Sequence, residues 1–202
     1  MNTPQREDIF RQLQSAFDAL ALLFLQPEDE AAGAALAAAA EAVDRAGRGF
    51  LNEARLDRLH CVASREVDPL ELSRAYARLF LGVGETTIPL CESAWTSPQH
   101  LLCQSAQLEC RKAYAEAGLG LSGGPAVPED HLGLMLAFLS VAALRNDAAA
   151  GLAFFDAHLA PFSKGLVRAV KGENPGPYVD VVEVLEAAVA LLAVRSFGGV
   201  SV

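Results

Sequence analysis

Apolar residues recur at three- and four-residue steps at Ile9, Phe10, Leu13, Phe17, Leu20 and Phe24, a single helical stripe that Pro27 must stop. The stretch from Glu28 to Ala46 has the propensity for a second helix, but its alanines offer little bulk, which places it at the periphery, ended by Gly47 and Gly49. "DPLELSRAYARLFLG" announces a third helix. Asp68 can cap it, Pro69 suits the first helical position, Glu71 completes a capping box and Gly82 suits the far end. Its apolar face is Leu72, Ala75, Tyr76, Leu79 and Phe80.

Residues 82–96, "GVGETTIPLCESAWT", show no helical period and carry two glycines and Pro89, so a long ordered loop is predicted. Ser97 and Pro98 then start a helix running to Gly118, with Leu101, Leu108 and Tyr114 buried. A glycine-rich linker, "GLGLSGGPAV", supplies a hinge over 118–127. It leads into "VPEDHLGLMLAFLS", whose helix is apolar on two faces: Leu132, Met135, Leu136 and Leu139 on one, Leu134, Phe138 and Val141 on the other. A helix apolar nearly all round belongs at the centre. Later helices are predicted over 147–159, 161–170 and 177–195, with no repeat and no strand. The expected fold is all-α: a single globular helical domain, residues 1–202, of about eight to ten helices around a central apolar helix.

Composition supports this class. Half of the 202 residues are apolar, aromatics are few, and alanine and leucine dominate. A chain of this length buries roughly 70% of its unfolded surface, so no disulfide is needed. Sixteen basic against twenty-five acidic residues give a net charge of −9, which disfavours nucleic acid or an anionic lipid surface as partner and favours cationic ligands. The apolar runs are too short for stable membrane insertion. The opening "MNTPQREDIF" does not read as a secretion signal, so the expected compartment is cytoplasmic. Cys61, Cys91, Cys103 and Cys110 show no paired spacing, and Cys103 and Cys110 fall seven apart on one helical face; reduced, mostly buried thiols are expected.

The chemistry concentrates around "PEDH". Pro128, Glu129 and Asp130 suit an ordinary helix start, and His131 could be a satisfied core histidine. Against that plain reading stands the company. Between Gly84 and His131 there are six acids and only two basic residues, Arg111 and Lys112. If loop and helix meet, Glu85, Glu92, Glu129 and Asp130 would form an acidic, partly apolar groove with Trp95 in it. Such a groove suits arginine, which can fork onto a carboxylate, and an apolar segment stacked on the indole. Its affinity would fall as salt rises. For Trp95 a core aromatic, and for Glu92 a cap or a solvated charge, are the structural alternatives.

"YARLFLG" (76–82), "PLCESAW" (89–95), "CRKAYAEAGL" (110–119) and "PEDHLGLMLAFL" (128–139) together resemble the TorD/DmsD family, related to NarJ, of cytoplasmic chaperones for molybdenum-containing redox enzymes. "HLAPF" (158–162) followed by Tyr178 extends the likeness. The resemblance implies an all-helical protein that binds the twin-arginine leader and apoprotein of a molybdenum oxidoreductase and holds it for cofactor insertion before export. It carries family binding roles onto Glu92, Ser93, Asp130, His131 and Trp95, with Glu129, Pro89 and Cys91 beside them in the same motifs. Where the family has tryptophans, this chain has Cys91 and Phe162, and Pro177 replaces a phenylalanine before the late tyrosine. Branches of the family differ in whether the client has such a leader, so a leaderless molybdoenzyme subunit is the alternative client.

No catalysis is expected. A hydrolase using Asp130, His131 and Glu92 lacks a nucleophile elbow or a phosphate loop, and neighbouring helical residues point about 100° apart, poor geometry for a triad. A zinc site from His100 and Cys103 with Cys91 or Cys110 lacks paired cysteines, so neither metal nor cofactor is expected. A monomer is expected, with the linker allowing a domain-swapped dimer.

Overall fold

The computed structural model describes residues 1–97, 101–120, 127–173 and 176–193. The first apolar stripe forms two helices. α1 (Thr3–Gln12) opens with a reciprocal capping box between Asn2 and Gln5, and α2 (Gln14–Leu25) follows after a break at Leu13. The stripe nevertheless continues across the break, and all six of its residues are buried. α3 (Ala32–Gly47) is not peripheral: it packs between α2 and α4 (Glu53–Ala63), with Ala39 and Ala40 fully buried. Small side chains let the helix axes approach closely, so the alanines are contact surface rather than filler. The polar α4 was not foreshadowed by any strong apolar stripe.

α5 (Pro69–Phe80) forms where its signals predict, but without the capping box expected from Glu71. The Asp68 side chain accepts the Leu70 amide at 2.9 Å, and Gly82 takes the left-handed φ of +74° beyond the C-terminus. The following loop ends in a short helix, α6 (Ser93–Thr96), and α7 spans Ser105–Glu116. The helix expected from Ser97 therefore begins eight residues later. Leu101 and Leu108 are exposed, Tyr114 is buried as predicted, and the exposed Cys103 sits on a left-handed backbone ahead of α7, so it shares no helical face with Cys110. Two thiols are buried, Cys91 and Cys110, and two exposed, Cys61 and Cys103.

α8 (Leu132–Leu144) packs on α1, α2 and α9 (Ala148–Phe154), as a central helix should. A π-helical turn, Phe155–Leu159, joins α9 to α10 (Ala160–Gly172) without a loop, and α11 (Pro177–Ala193) lies against α10 and α3. With α9, the π turn and α10 counted as one interrupted rod, the described residues form ten helical rods and no strand. Two aromatic clusters anchor the packing. Phe24, Tyr76, Phe80 and Tyr178 tie α2, α5 and α11 together with centroids 5.0–6.2 Å apart, while Tyr114, Phe138 and Phe154 tie α7, α8 and α9 together at 4.5–5.7 Å. The hinge expected over 118–127 falls largely on residues 121–126, outside the described set.

Candidate functional site

The loop and the start of α8 meet. Cys91 and His131 form an isolated antiparallel bridge, flanked by Glu92 N–H donating to the Asp130 carbonyl at 3.0 Å and Leu132 N–H to the Leu90 carbonyl at 2.8 Å. Pro128 to Asp130 are a turn ahead of α8 rather than its first helical residues, and His131 is the N-cap. This turn sets the two neighbouring side chains different tasks. The Asp130 carboxylate accepts the Ser93 amide at 2.8 Å and so caps α6, while His131 Nδ1 accepts the Gly133 amide at 3.1 Å and caps α8. An acid–base dyad between them does not exist.

Glu92 and Glu129 are engaged as well, whereas Glu85 is exposed and lies along a separate cavity with Arg78 and Glu173. Glu92 Oε2 lies 3.0 Å from His158 Nδ1, both buried, and His158 belongs to the π turn between α9 and α10. π turns of this kind recur at functional sites. Glu129 accepts from Arg111 Nε at 2.6 Å and from Gln107 Nε2 at 2.5 Å, while the Tyr114 hydroxyl donates to the Glu129 carbonyl at 2.8 Å. Arg111 beside it, with Gln107, holds the Glu129 carboxyl down at about 2 against an opposing desolvation. Burial lowers His131 to about 4, opposed by the Asp130 charge. Burial also pushes the Cys91 thiol up to about 12 and the Cys110 thiol and Tyr114 phenol higher still. Ser93 Oγ and Asp130 Oδ1 are buried with no hydrogen-bond partner. Trp95 is half-buried; its indole N–H donates to the Pro89 carbonyl at 2.9 Å, and its ring packs so close to Gly165 on α10 that a Cβ there would lie 3.0 Å from it.

The eight residues singled out from sequence thus assemble at one corner, but most face inward. Glu92, Glu129 and His131 are each 5% exposed and Asp130 is fully buried. The acids do not line an acidic groove. What opens beside them is an apolar groove of about 430 Å³ between α7 and α8. Its floor on α8 is Leu134, Ala137 and Val141, which are partly exposed, together with Phe138, which is itself buried against Tyr114 and Phe154. Ala115 and Leu119 form the opposite wall, and Glu129 with Arg111 closes one end. Of the residues expected to bind, Glu129 alone lines it.

Sequence reasoning overlooked Gln107, Arg111 and His158 as partners of the acids. The stripe at 107, 111 and 114, which carries all the α7 donors to Glu129, was the available signal. Among the described residues the set able to hold a metal ion is Glu92, Cys110 and His158, with donor atoms within 4.8 Å of one another. Of the zinc ligands weighed from sequence, His100 lies outside the described residues. No described helix is long and apolar enough to cross a membrane.

The described residues therefore build an all-helical protein with a polar corner engaged in capping and ion pairing and an open apolar groove beside it. The model of the family described as nitrate reductase delta subunit matches residues 26–168, and the chain belongs to that family, the NarJ/TorD type of redox enzyme maturation chaperone. A crystal structure of a proposed redox enzyme maturation protein from Archaeoglobus fulgidus shares the fold, with a TM-score of 0.53 at 18% identity, covering 89% of this chain and 91% of that one. No curated protein sequence matches significantly.

Proposed function

We propose that this chaperone acts in the cytoplasm on a molybdenum-containing redox enzyme, binding the leader and apo form of that client without turnover and holding it until its cofactor is inserted. The observation that carries this reading is the second apolar face of α8. A helix apolar on two sides is normally covered on both, whereas Leu134, Ala137 and Val141 here remain partly exposed along an open groove. A groove of this size and lining accepts the apolar face of a short helix, the recognition mode of many peptide-binding proteins. The apolar stretch of a leader is the right occupant, and the single carboxylate at the groove's end favours a leader that also carries arginine.

In this reading Glu92, Ser93, Trp95, Asp130 and His131, with Pro89 and Cys91, are the frame of the site. They fix the turn that presents Glu129 and the first residues of α8. Isolation of the tagged protein from native cytoplasm tests the proposal. The expected partner is an apo molybdenum enzyme bearing an uncleaved leader, and Ala137→Asp, which sets a charge on the groove floor, should abolish the association while helical circular dichroism and Tm stay at wild-type values. Undiminished capture of the same client by Ala137→Asp would place its binding elsewhere.

A further inference from the structure

We infer that Glu129 is the seat for a client arginine and that Arg111 occupies that seat in the free protein, to be displaced when the leader binds. The inference rests on the leader-binding reading above and goes beyond it to the mechanism of arginine recognition.

Three features of the pair point this way. The carboxylate is buried and the guanidinium is not: the Glu129 side chain is 7% exposed, that of Arg111 57% exposed. The Glu129 backbone is itself anchored by the Tyr114 hydroxyl at 2.8 Å, so the acceptor keeps its place whichever cation it holds. The contact also uses little of what arginine offers. Arg111 donates through Nε to one carboxylate oxygen, and Gln107 takes the other. A guanidinium arriving along the groove can present two N–H groups to the two oxygens, the stronger forked geometry, and replace both donors together.

Exchange of one guanidinium for another keeps the buried carboxylate compensated throughout, so no step requires an unpaired charge at the groove's end. Arg111 then behaves as a competitor tethered to its own site. It lowers apparent affinity for the leader by the fraction of molecules in which it holds Glu129. Because it is solvent-exposed, that competition is modest, on the order of a 3-fold effect. It also sets selectivity: a ligand without arginine gains nothing by displacing Arg111, and the seat stays closed to it.

The test uses the full chain and two synthetic peptides, one with two arginines followed by a Leu/Ala stretch and a copy with glutamines in place of the arginines. Arg111→Ala should bind the arginine peptide about 3-fold tighter and the glutamine copy unchanged. Glu129→Gln should bind both peptides alike. In wild-type protein the Arg111 Nε–H resonance, assigned by its absence in Arg111→Lys, should move toward that of a free arginine as the arginine peptide is added. Binding of the arginine peptide with an unmoved Arg111 resonance, or with unchanged or weaker affinity in Arg111→Ala, overturns the exchange and leaves the leader-binding reading standing. Failure of both peptides to bind any of the proteins overturns both.

Discussion

Lowering the pH from about 7 to about 4 charges His131 in the unfolded chain well before it does so in the folded one. Burial holds the folded imidazole at about 4, against 6.5 for the free side chain. Between those values the unfolded state binds the extra proton, so stability is fully present above 6.5, falls as the pH falls through the window, and falls no further on this account below about 4. At ~1.4 kcal/mol per pH unit the loss is about 3 kcal/mol, with Asp130 already opposing the shift. The structural event is specific: protonated Nδ1 can no longer accept the Gly133 amide at 3.1 Å, and α8 loses its cap. Urea denaturation of wild type and His131→Asn across this pH range measures it. Asparagine is a good cap and does not titrate, so whatever the two proteins share cancels in the difference. Wild type should lose about 3 kcal/mol more than the variant. Equal slopes would show that His131 is not held neutral by the fold.

Other consequences are simpler to check. Gly151→Ala places a Cβ 2.1 Å from the Phe10 ring, which is fully buried and has nowhere to go, so thermal melts should show about 1–3 kcal/mol of destabilisation. Tyr178→Phe removes the buried hydroxyl that donates to the Leu23 carbonyl at 2.5 Å and leaves that carbonyl without this donor, a loss of about 1–3 kcal/mol by the same assay. A chromogenic disulfide reagent should titrate Cys61 and Cys103 at once, and Cys91 and Cys110 only on unfolding, because the latter two are buried and held as thiols. Four fast-reacting thiols in the folded protein would contradict the packing of α7 against the corner.

The parts of this structure that were legible beforehand are those dictated by neighbours in sequence. α5 was legible because Asp68, Pro69 and Gly82 act within a few residues of the backbone they cap. The stripe from Ile9 to Phe24 was legible because burial repeats with the helical period, although that period carries no mark of the break at Leu13. Whether "PLCESAW" meets "PEDH" was not legible in sequence, because the contact is made by backbone pairing across some forty residues, and the bridge between Cys91 and His131 is what joins them. What sequence could not show was how each acid is satisfied. Arg111 lies 18 residues from Glu129, and His158 lies 66 from Glu92. Periodicity tells which face a residue occupies but not what stands opposite. For the same reason charge counting suggested an acidic groove, whereas pairing and burial leave an apolar one. The two-faced apolar pattern of α8 was visible from the start, and only packing shows that on the second face Phe138 is buried while Leu134 and Val141 stay partly exposed.

The most direct measurement of the central claim is site-specific photo-crosslinking in native cytoplasm, with a benzophenone side chain at Val141 on the groove floor and, for comparison, at the exposed Arg45 on α3. The account predicts that the Val141 probe forms an adduct mapping to the leader of an apo molybdenum enzyme, and that the Arg45 probe does not. Adducts to that leader from Arg45 but not from Val141 would contradict it.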